Sequence, residues 1–335
     1  MRIGNIEIKD PVILAPMSGV TDKPFRKLVR SFGAPFLVTE MIASRAMIIK
    51  TRQSLQKCEM DQEGGLTSVQ LAGNDPAVMA EAAKMNEDMG AKIIDINFGC
   101  PVKKVVNGFA GSALMKDEVL AAKILKATVD AVNIPVTLKM RTGWNQQNRN
   151  APKLAKIAED LGIQMLTVHG RTRCQLYKGS ADWEFIQTVK DSVKIPIIVN
   201  GDIKSASDAK QALNHSSADG VMIGRGCYGK PWLISQIVDE LNGRAVKDID
   251  IDTIFDTMLA HFEENLSYYG IESGLRMSRK HLAWYTSGMN DSAAFRQAVN
   301  LAPNKEAVIE KIAELRSKQF DYVVLIIYCI IYRII

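Results

Sequence analysis

The sequence predicts an α/β fold, a TIM (β/α)₈ barrel followed by a small C-terminal helical domain. Short β-rich apolar runs recur along the first part of the chain, and segments with helical periodicity lie between them. After residue 252 the helical pattern continues, and no strand pattern appears before the tail. A chain of 335 residues is long enough for one barrel with an appended domain.

Eight of these runs have the length and the β-branched content of buried strands. The helical patterns between them, such as Ala77–Met89 and Ala151–Leu161, are long enough for crossover helices, so neighbouring strands should run parallel. Eight βα units within about 240 residues match the TIM barrel. The predicted strands are Val12–Pro16, Phe36–Glu40, Ser68–Ala72, Ile93–Asn97, Val136–Met140, Met165–His169, Ile197–Asn200 and Gly220–Gly224.

Polar side chains at the strand ends favour the barrel over a doubly wound open sheet, which strand counting alone leaves open. Buried parallel strands are normally almost continuous apolar runs. Five of the predicted strands nevertheless carry a polar residue at or near the carboxyl end, where a barrel has its active face. These residues are Gln70, Asn97, Lys139, His169 and Asn200.

The chain divides into a barrel and a helical domain. We expect the barrel to occupy residues 1–242 and the acidic stretch Asp248–Asp252 to belong to a linker. The helical domain should fill residues 253–318. Its predicted segments include Ile254–Leu266, Leu275–Thr286 and Lys305–Lys318.

The tail, residues 319–335, is an anomalous apolar segment. From Asp321 onward the amphipathic pattern gives way to a β-branched and aromatic run. This run is too short to span a bilayer comfortably. A membrane anchor, a docked strand or helix end, and an irregular terminus produced by a reading-frame change all stay open.

Composition places the chain among ordinary globular proteins, with 47% hydrophobic and 24% charged residues. The net charge of +5 points weakly towards an anionic partner. The five cysteines are odd in number and form no CxxC pair, which argues against a disulfide framework and against a metal site. Since no signal peptide is apparent either, we expect a cytoplasmic monomer without a membrane partner.

The segment Gly224–Gly229 matches GxGxxG, but its position argues against a Rossmann dinucleotide site. It closes the eighth βα unit, and no clear second strand carries an acidic residue about 20 positions later. In TIM barrels the loops after strands seven and eight commonly bind phosphate through backbone N–H groups. Asn200-Gly201-Asp202 and Gly224-Arg225-Gly226 occupy these loops, and simple tight turns are the alternative.

A phosphate at these loops, an amide at Gln70 and a cation at Lys139 together suit FMN. The flavin ring would lie across the barrel mouth, where the Lys139 ammonium would stabilise negative charge near N1 of the reduced ring. A surface lysine is disfavoured within VTLKM because the flanking residues are apolar. His169 could hydrogen bond to the flavin or to an anionic substrate group, or could have a structural role alone.

Motifs spread over residues 1–318 point to one family. The pair formed by Asn97-Phe98-Gly99-Cys100-Pro101 and His169-Gly170-Arg171-Thr172-Arg173 is specific, whereas APM or GRG alone would be weak. In this pair and the motifs around it the chain resembles the tRNA-dihydrouridine synthases of the bacterial B type. The other motifs are Ala15-Pro16-Met17, Thr21-Asp22, Pro24-Phe25-Arg26, Lys139-Met140-Arg141, Asn200-Gly201-Asp202, Gly224-Arg225-Gly226, Arg279-Lys280-His281 and Trp284-Tyr285.

The resemblance implies FMN-dependent reduction of uridine C5=C6 in tRNA to 5,6-dihydrouridine, with NADPH or NADH as the reductant. Reduced FMN would transfer hydride to C6, and Cys100 would donate a proton to C5 from the opposite face. On spacing alone Cys174 competes for this role, and the resemblance favours Cys100. The flavin contacts that the resemblance implies are Pro16, Met17, Ser18, Gln70, Lys139, Asn200, Gly201, Asp202, Gly224 and Arg225.

Three loops that follow strand carboxyl ends, residues 98–112, 141–152 and 170–181, contain seven basic and no acidic residues. Because such loops meet at one end of a barrel, the mouth should be electropositive and suited to RNA. A uridine in folded RNA must also leave its stack to reach the pocket. The predicted substrate and RNA contacts are Asn97, Lys103, Arg141, Arg171 and Arg173, with Arg279 and Lys280 on a helix of the second domain, where a solvated charged face is the alternative.

Two other functions stay open on the sequence. An FMN barrel enzyme acting on a small molecule, such as a dihydroorotate or enoate oxidoreductase, shares the cofactor. Such an enzyme needs neither acid-free mouth loops nor an added helical domain. A non-catalytic RNA-binding protein that retained the barrel would be colourless when purified.

Overall fold

The computed structural model describes residues 1–59 and 64–332, with side chains described as far as residue 319. The chain forms two compact units. The first unit comprises Met1–Cys227 and Trp232–Val246. The second comprises Tyr228–Pro231 and the chain from Lys247 onward.

The first unit contains a closed barrel of eight parallel strands. Its strands are β1 (Arg2–Ile3), β2 (Ile6–Glu7), β3 (Val12–Leu14), β4 (Phe36–Val38), β5 (Ile42–Ala43), β6 (Leu66–Ala72), β7 (Ile94–Phe98), β8 (Val136–Arg141), β9 (Leu166–His169), β10 (Ile197–Asn200) and β11 (Gly220–Ile223). Strands β3, β4 and β6 to β11 pair in chain order, and β11 pairs with β3, which closes the barrel. The short β5 pairs only with the end of β6. The TIM barrel prediction is therefore confirmed, and the open sheet is wrong.

Helices alternate with the barrel strands and cover the outside. Aspartates begin several of them: the Asp22 carboxylate accepts a hydrogen bond from the backbone N–H of Phe25, and Asp75 accepts from Ala77 and Val78. The helices of this unit are α1 (Lys23–Ser31), α2 (Ser44–Ile48), α3 (Arg52–Cys58), α4 (Pro76–Asp88), α5 (Lys103–Val106), α6 (Glu118–Asp130), α7 (Ala151–Asp160), α8 (Trp183–Lys190), α9 (Ala206–Ser216) and α10 (Leu233–Leu241), with 3₁₀ turns at Gly111–Lys116 and Arg225–Cys227.

Apolar residues fill the amino end of the barrel. The β1–β2 hairpin supplies Ile3, and Ile8 follows it; both join a buried cluster with residues at strand starts, including Phe36, Ile93 and Met165. Burial of such side chains stabilises the fold by roughly 1.5–3 kcal/mol each. Because the amino end is packed in this way, polar groups are concentrated at the carboxyl end, which we call the barrel mouth together with the loops that follow it.

The second unit is helical. It contains α11 (Ile251–Tyr269), α12 (Ile271–Tyr285), α13 (Ser292–Leu301) and α14 (Lys305–Tyr332). Helices α11 and α12 approach closely at Gly274, where an added Cβ would lie 2.7 Å from the carbonyl oxygen of Asn265. Phe255, Phe262 and Leu282 are buried in its core.

Element ends differ from the predicted ones in two instructive places. Helix α11 begins within the stretch predicted as a linker, because the Asp250 carboxylate caps it by accepting a hydrogen bond from Thr253 N–H. Helix α14 continues past Lys318 into the tail, whose side chains beyond Gln319 lie outside the described residues. Within the part of the chain that the structure describes, no helix is long and apolar enough to cross a membrane.

Candidate active site at the barrel mouth

The five polar residues predicted at strand ends all lie at the barrel mouth. Asn97 and Lys139 are register partners on β7 and β8, as are His169 and Asn200 on β9 and β10. Lys139 Nζ donates to Asn200 Oδ1 at 2.9 Å, and Asn97 Nδ2 donates to Gln70 Oε1 at 2.7 Å. Four of these side chains are buried, and His169 is half-buried. The structure therefore brings the predicted residues together in one polar layer.

Lys139 is a buried cation with donors to spare. Among the described residues its ammonium has one hydrogen-bond acceptor, Asn200 Oδ1, although an ammonium carries three donors. Asn200 is held in turn, since its Nδ2 donates to the carbonyl of Met222 at 2.7 Å. Burial, with the nearby charge of Arg141, lowers the pKa of Lys139 to about 8. A bound group with carbonyl oxygens or negative charge would satisfy the remaining donors.

Cys100 stands on a loop that is held from both sides. Asn97 Oδ1 accepts from the backbone N–H groups of Gly99 at 3.0 Å and Cys100 at 2.8 Å. The Cys100 carbonyl accepts from Ser112 N at 3.1 Å and Ser112 Oγ at 2.8 Å. An added Cβ at Gly111 would lie 2.9 Å from that carbonyl oxygen, so glycine permits the closure. We call residues 99–112 the catalytic loop.

Partial burial raises the pKa of the Cys100 thiol above its ordinary range. The thiol is therefore protonated at neutral pH, as a proton donor must be. Cys174, the competing candidate, is exposed, and Cys58 and Cys227 are buried away from solvent. Of the four cysteines that the structure describes, only Cys100 hydrogen bonds to the polar layer.

Asp95 belongs to this network, and the sequence reasoning missed it. Its Oδ2 accepts from Gln70 Nε2 at 2.6 Å, and its Oδ1 accepts from Thr137 Oγ1 at 2.6 Å. Burial raises the pKa of the Asp95 carboxyl above its ordinary range. Because Asp95 accepts from Nε2 of Gln70, the side-chain amide of Gln70 is oriented with its Oε1 towards Asn97. A carboxylate in the middle of the buried strand Ile94–Phe98 was the signal that could have revealed it.

The two loops predicted to bind phosphate differ at their glycines: Gly201 has a backbone conformation and a packing that require glycine, whereas Gly224 has ordinary van der Waals contacts. Gly201 has φ +116°, and an added Cβ would lie 2.9 Å from His169 Cδ2. At Gly224 an added Cβ would lie 3.5 Å from Met17 Sδ, so the loop after β11 passes beside the loop after β3. The side chain of Arg225 is 47% exposed, lies 3.7 Å from Asp202 and stands over the Tyr177 ring, with Cζ 4.7 Å from the ring centre.

The loop after β3 carries the predicted contacts Pro16, Met17 and Ser18. Met17 N–H donates to Thr21 Oγ1 at 2.9 Å, and the Met17 carbonyl accepts from the N–H groups of Val20 and Thr21. Ser18 is exposed, whereas Pro16 and Met17 are half-buried. The turn thus presents these three residues at the mouth, beside Gly224.

A family model described as dihydrouridine synthase matches residues 13–320. The chain belongs to the dihydrouridine synthase family. A probable tRNA-dihydrouridine synthase of Rickettsia bellii is 62% identical over 94% of this chain and 97% of its own. The tRNA-dihydrouridine synthase B of Xanthomonas axonopodis pv. citri is 48% identical over 92% of this chain and 93% of its own.

A solved structure supports the fold alone. Histamine dehydrogenase from Rhizobium sp. 4-9 superposes with a TM-score of 0.59 at 14% identity, covering 96% of this chain and 64% of that enzyme. The family resemblance found in the sequence motifs is confirmed by the matching family model and the curated relatives.

In this dihydrouridine synthase family member, two arginines that were expected at an exposed RNA surface are buried among the mouth loops. Arg141 and Arg171 are each 2% exposed. Arg141 donates to the carbonyls of Gly99, Thr172 and Leu176, and Arg171 pairs with Asp202 at 2.5 Å. Buried backbone carbonyl groups in long loops have no partner in a helix or sheet and need other hydrogen-bond donors. The guanidinium groups of these two arginines supply such donors. Arg141 and Arg171 therefore fasten the mouth loops to one another, and the expectation that they contact the substrate or RNA stays a prediction.

Asp202 is hydrogen bonded within the mouth loops of this family member, and His169 is neutral. Asp202 Oδ2 accepts from Arg171 and from the N–H of Ala181 at 2.7 Å, so this carboxylate holds a loop in place. Burial, with the charges of Arg141 and Lys139, lowers the pKa of His169 well below its ordinary value. The imidazole is therefore neutral and can donate or accept one hydrogen bond.

The remaining predicted contacts fall in two places. Lys103 is exposed on α5 in the catalytic loop, and Arg173 is half-buried in the loop after β9. Arg279 and Lys280 lie on α12 in the helical unit of this synthase family member, both half-buried.

Proposed function

We propose that the protein is a tRNA-dihydrouridine synthase that reduces uridine C5=C6 in tRNA with FMN as bound cofactor and NADPH or NADH as reductant. The observation that carries this proposal is the joint position of Lys139 and Cys100. A buried ammonium with donors to spare and a protonated thiol belong to one hydrogen-bonded mouth, in a chain of the dihydrouridine synthase family. The relatives from Rickettsia bellii and Xanthomonas axonopodis pv. citri, which are named as tRNA-dihydrouridine synthases, support tRNA as the substrate.

The residues fit FMN. The spare donors of Lys139 suit the ring, and the half-exposed guanidinium of Arg225, in the loop after β11, suits the phosphate. When bound and reduced, FMN would supply the hydride that C6 of uridine accepts. NADPH or NADH would then reduce the flavin again. The residues that we propose to hold the cofactor are Pro16, Met17, Ser18, Gln70, Lys139, His169, Asn200, Gly201, Gly224 and Arg225, with Asp202 acting through the loop that it holds.

The chain itself supplies the proton and the positioning. The Cys100 thiol gives its proton to C5 of uridine, so the pyrimidine gains one hydride and one proton across the double bond. The thiolate left behind regains a proton from solvent. Asn97 fixes the loop that carries the thiol through its two backbone hydrogen bonds. Lys139 lowers the free energy of negative charge at the mouth.

We further propose that the helical unit binds tRNA through α12, with Arg279 and Lys280 on the contact face, and that the enzyme works as a monomer in the cytoplasm, where its substrate is found. Catalytic-loop Lys103 is assigned to the RNA backbone. It is exposed, and among the described residues no carboxylate lies within ion-pair distance of it.

One assay separates this function from a small-molecule reductase. The purified protein, loaded with FMN, is given NADPH and an unmodified tRNA transcript, and dihydrouridine is measured by mass spectrometry of the nucleosides. We expect a flavin absorption spectrum and conversion of uridine. A protein that binds flavin, leaves tRNA unchanged and reduces an enoate or oxidises dihydroorotate would establish the alternative, and a colourless protein that takes up no FMN would remove the cofactor.

A further inference from the structure

A cluster of two cations on one indole lies at the barrel mouth and is not used by the reaction described above. We propose that Lys116, Trp144 and Arg173 form a binding site for a phosphodiester of the RNA backbone next to the target uridine. This inference rests on the proposed function and names a place where the substrate is held.

Three neighbouring loops build the cluster. Lys116 ends the 3₁₀ turn Gly111–Lys116, Trp144 follows β8, and Arg173 follows β9. Lys116 Nζ lies 4.8 Å from the centre of the Trp144 ring, and Arg173 Cζ lies 4.7 Å from it. Because all three follow carboxyl ends of adjacent strands, the cluster belongs to the mouth.

The charges of this cluster are not balanced by acidic groups. In residues 1–59 and 64–319, no carboxylate lies within ion-pair distance of Lys116 or Arg173, whereas Arg149 and Arg171 each have an aspartate partner. Arg173 Nε is buried and has no hydrogen-bond acceptor. A ring face attracts one cation by about 0.5–1 kcal/mol, but two cations at one ring repel each other. An anion between or beside them would offset that repulsion and satisfy Arg173.

The site is tied to the catalytic loop. Ser112, in the same 3₁₀ turn as Lys116, holds the Cys100 carbonyl through two hydrogen bonds. The Trp144 carbonyl accepts from Cys174 N at 2.9 Å, and Arg173 N–H donates to Gly143 at 2.9 Å. A phosphate bound by this cluster is thus held by the loops that position the thiol.

Exposed apolar side chains in the same loops favour RNA over a dinucleotide as the source of the phosphate. Phe109 in the catalytic loop is 70% exposed, and Leu176, close to Arg173, is 41% exposed. Both residues have a left-handed backbone, with φ +53°, which is unusual for bulky side chains. Unstacked bases beside a flipped uridine would cover such surfaces.

The test uses full-length, FMN-loaded protein and measures tRNA affinity over a range of salt concentrations. The double variant Lys116→Met with Arg173→Gln should make the slope of log K against log[salt] shallower by about 0.7–0.9, the contribution of one phosphate. Each single variant should give part of that change, and Lys116→Arg should keep the wild-type slope. Lys92→Met and Arg2→Gln are matched controls, because both residues are exposed and lie towards the amino ends of the strands. Their slopes should equal that of the wild type.

Each other outcome has a definite meaning. Unchanged slopes in Lys116→Met and Arg173→Gln, with a wild type that reduces uridine, would overturn this site and leave the proposed function standing. A raised KM for NADPH with an unchanged tRNA slope would overturn it in favour of a dinucleotide phosphate. A wild type that leaves tRNA unchanged would instead contradict the proposed function. Should Arg173→Gln fold poorly, Lys116→Met decides, because Lys116 is exposed and its ring contact is its one recorded interaction.

Discussion

Replacing Asp95 by Asn tests whether the buried carboxylate positions Cys100 through two side-chain amides. The carboxylate accepts from Gln70, Gln70 accepts from Asn97, and Asn97 accepts from the N–H groups of Gly99 and Cys100. With Asn at 95, the side-chain oxygen can accept from Gln70 only if its N–H₂ faces the Thr137 hydroxyl, which must then accept; in the other orientation the N–H₂ faces the N–H₂ of Gln70. If Gln70 turns over to relieve this, Asn97 must turn as well, and the catalytic loop loses its acceptor.

The expected magnitude follows from the bonds at risk. A hydrogen bond to a charged group contributes about 1.5–3 kcal/mol, so turnover should fall roughly tenfold to hundredfold. Thr137→Val is the matched control, because it removes the second bond to Asp95 and leaves the Gln70–Asn97 chain unchanged. It should lower the free energy of unfolding and have a much smaller effect on turnover.

The assay is single-turnover formation of dihydrouridine by FMN-loaded protein, measured beside thermal unfolding. Asp95→Asn should slow the chemical step beyond what its loss of stability explains. Equal turnover in Asp95→Asn and Thr137→Val at equal stability would refute the positioning role and leave Asp95 a structural residue.

Three further predictions concern the cofactor, the mouth loops and the helical unit. Lys139→Ala should weaken FMN binding or shift the flavin spectrum, because the buried ammonium is removed; titration with FMN measures this. Arg171→Gln should cost roughly 3 kcal/mol of stability, because it leaves Asp202 and loop carbonyls without their donor, and thermal melting and flavin content should fall before tRNA affinity does. In the helical unit, burial lowers the pKa of His261 to about 3, so the folded unit excludes a proton that the unfolded chain takes up below its ordinary pKa. The contribution of His261 to the free energy of unfolding is therefore fully present above about pH 6.5 and should fall by about 2 kcal/mol between pH 7 and 5, seen as faster hydrogen exchange of α11. His261→Phe should remove this part of the pH dependence and leave the part due to His281, whose pKa burial also lowers.

The barrel could be predicted from the sequence because its strands are buried on both faces. All eight predicted runs became barrel strands, and Ile197–Asn200 has the predicted ends. The polar residues at strand ends were predictable for the same reason. A lysine such as Lys139 within a buried apolar strand is costly unless it binds a polar or negatively charged group.

The roles of the arginines could not be predicted from the sequence. Arg141 ends strand β8 and Arg171 follows β9, beside loops rich in basic residues, which predicts an RNA surface. Their acceptors are carbonyls of other loops, and sequence spacing does not reveal which carbonyls approach. The pairing of Arg173 and Lys116 at Trp144 depends likewise on three loops meeting in space.

The central claim is that Cys100 protonates uridine at the mouth of an FMN barrel. The most direct measurement is the dihydrouridine content of a tRNA transcript after incubation with NADPH and FMN-loaded wild type, Cys100→Ala or Cys174→Ala. We predict that wild type and Cys174→Ala add two hydrogens to uridine, and that Cys100→Ala binds flavin but forms almost no dihydrouridine. Full conversion by Cys100→Ala together with loss of conversion in Cys174→Ala would contradict the assignment of the acid, and a wild type that binds FMN yet never reduces uridine would contradict the account as a whole.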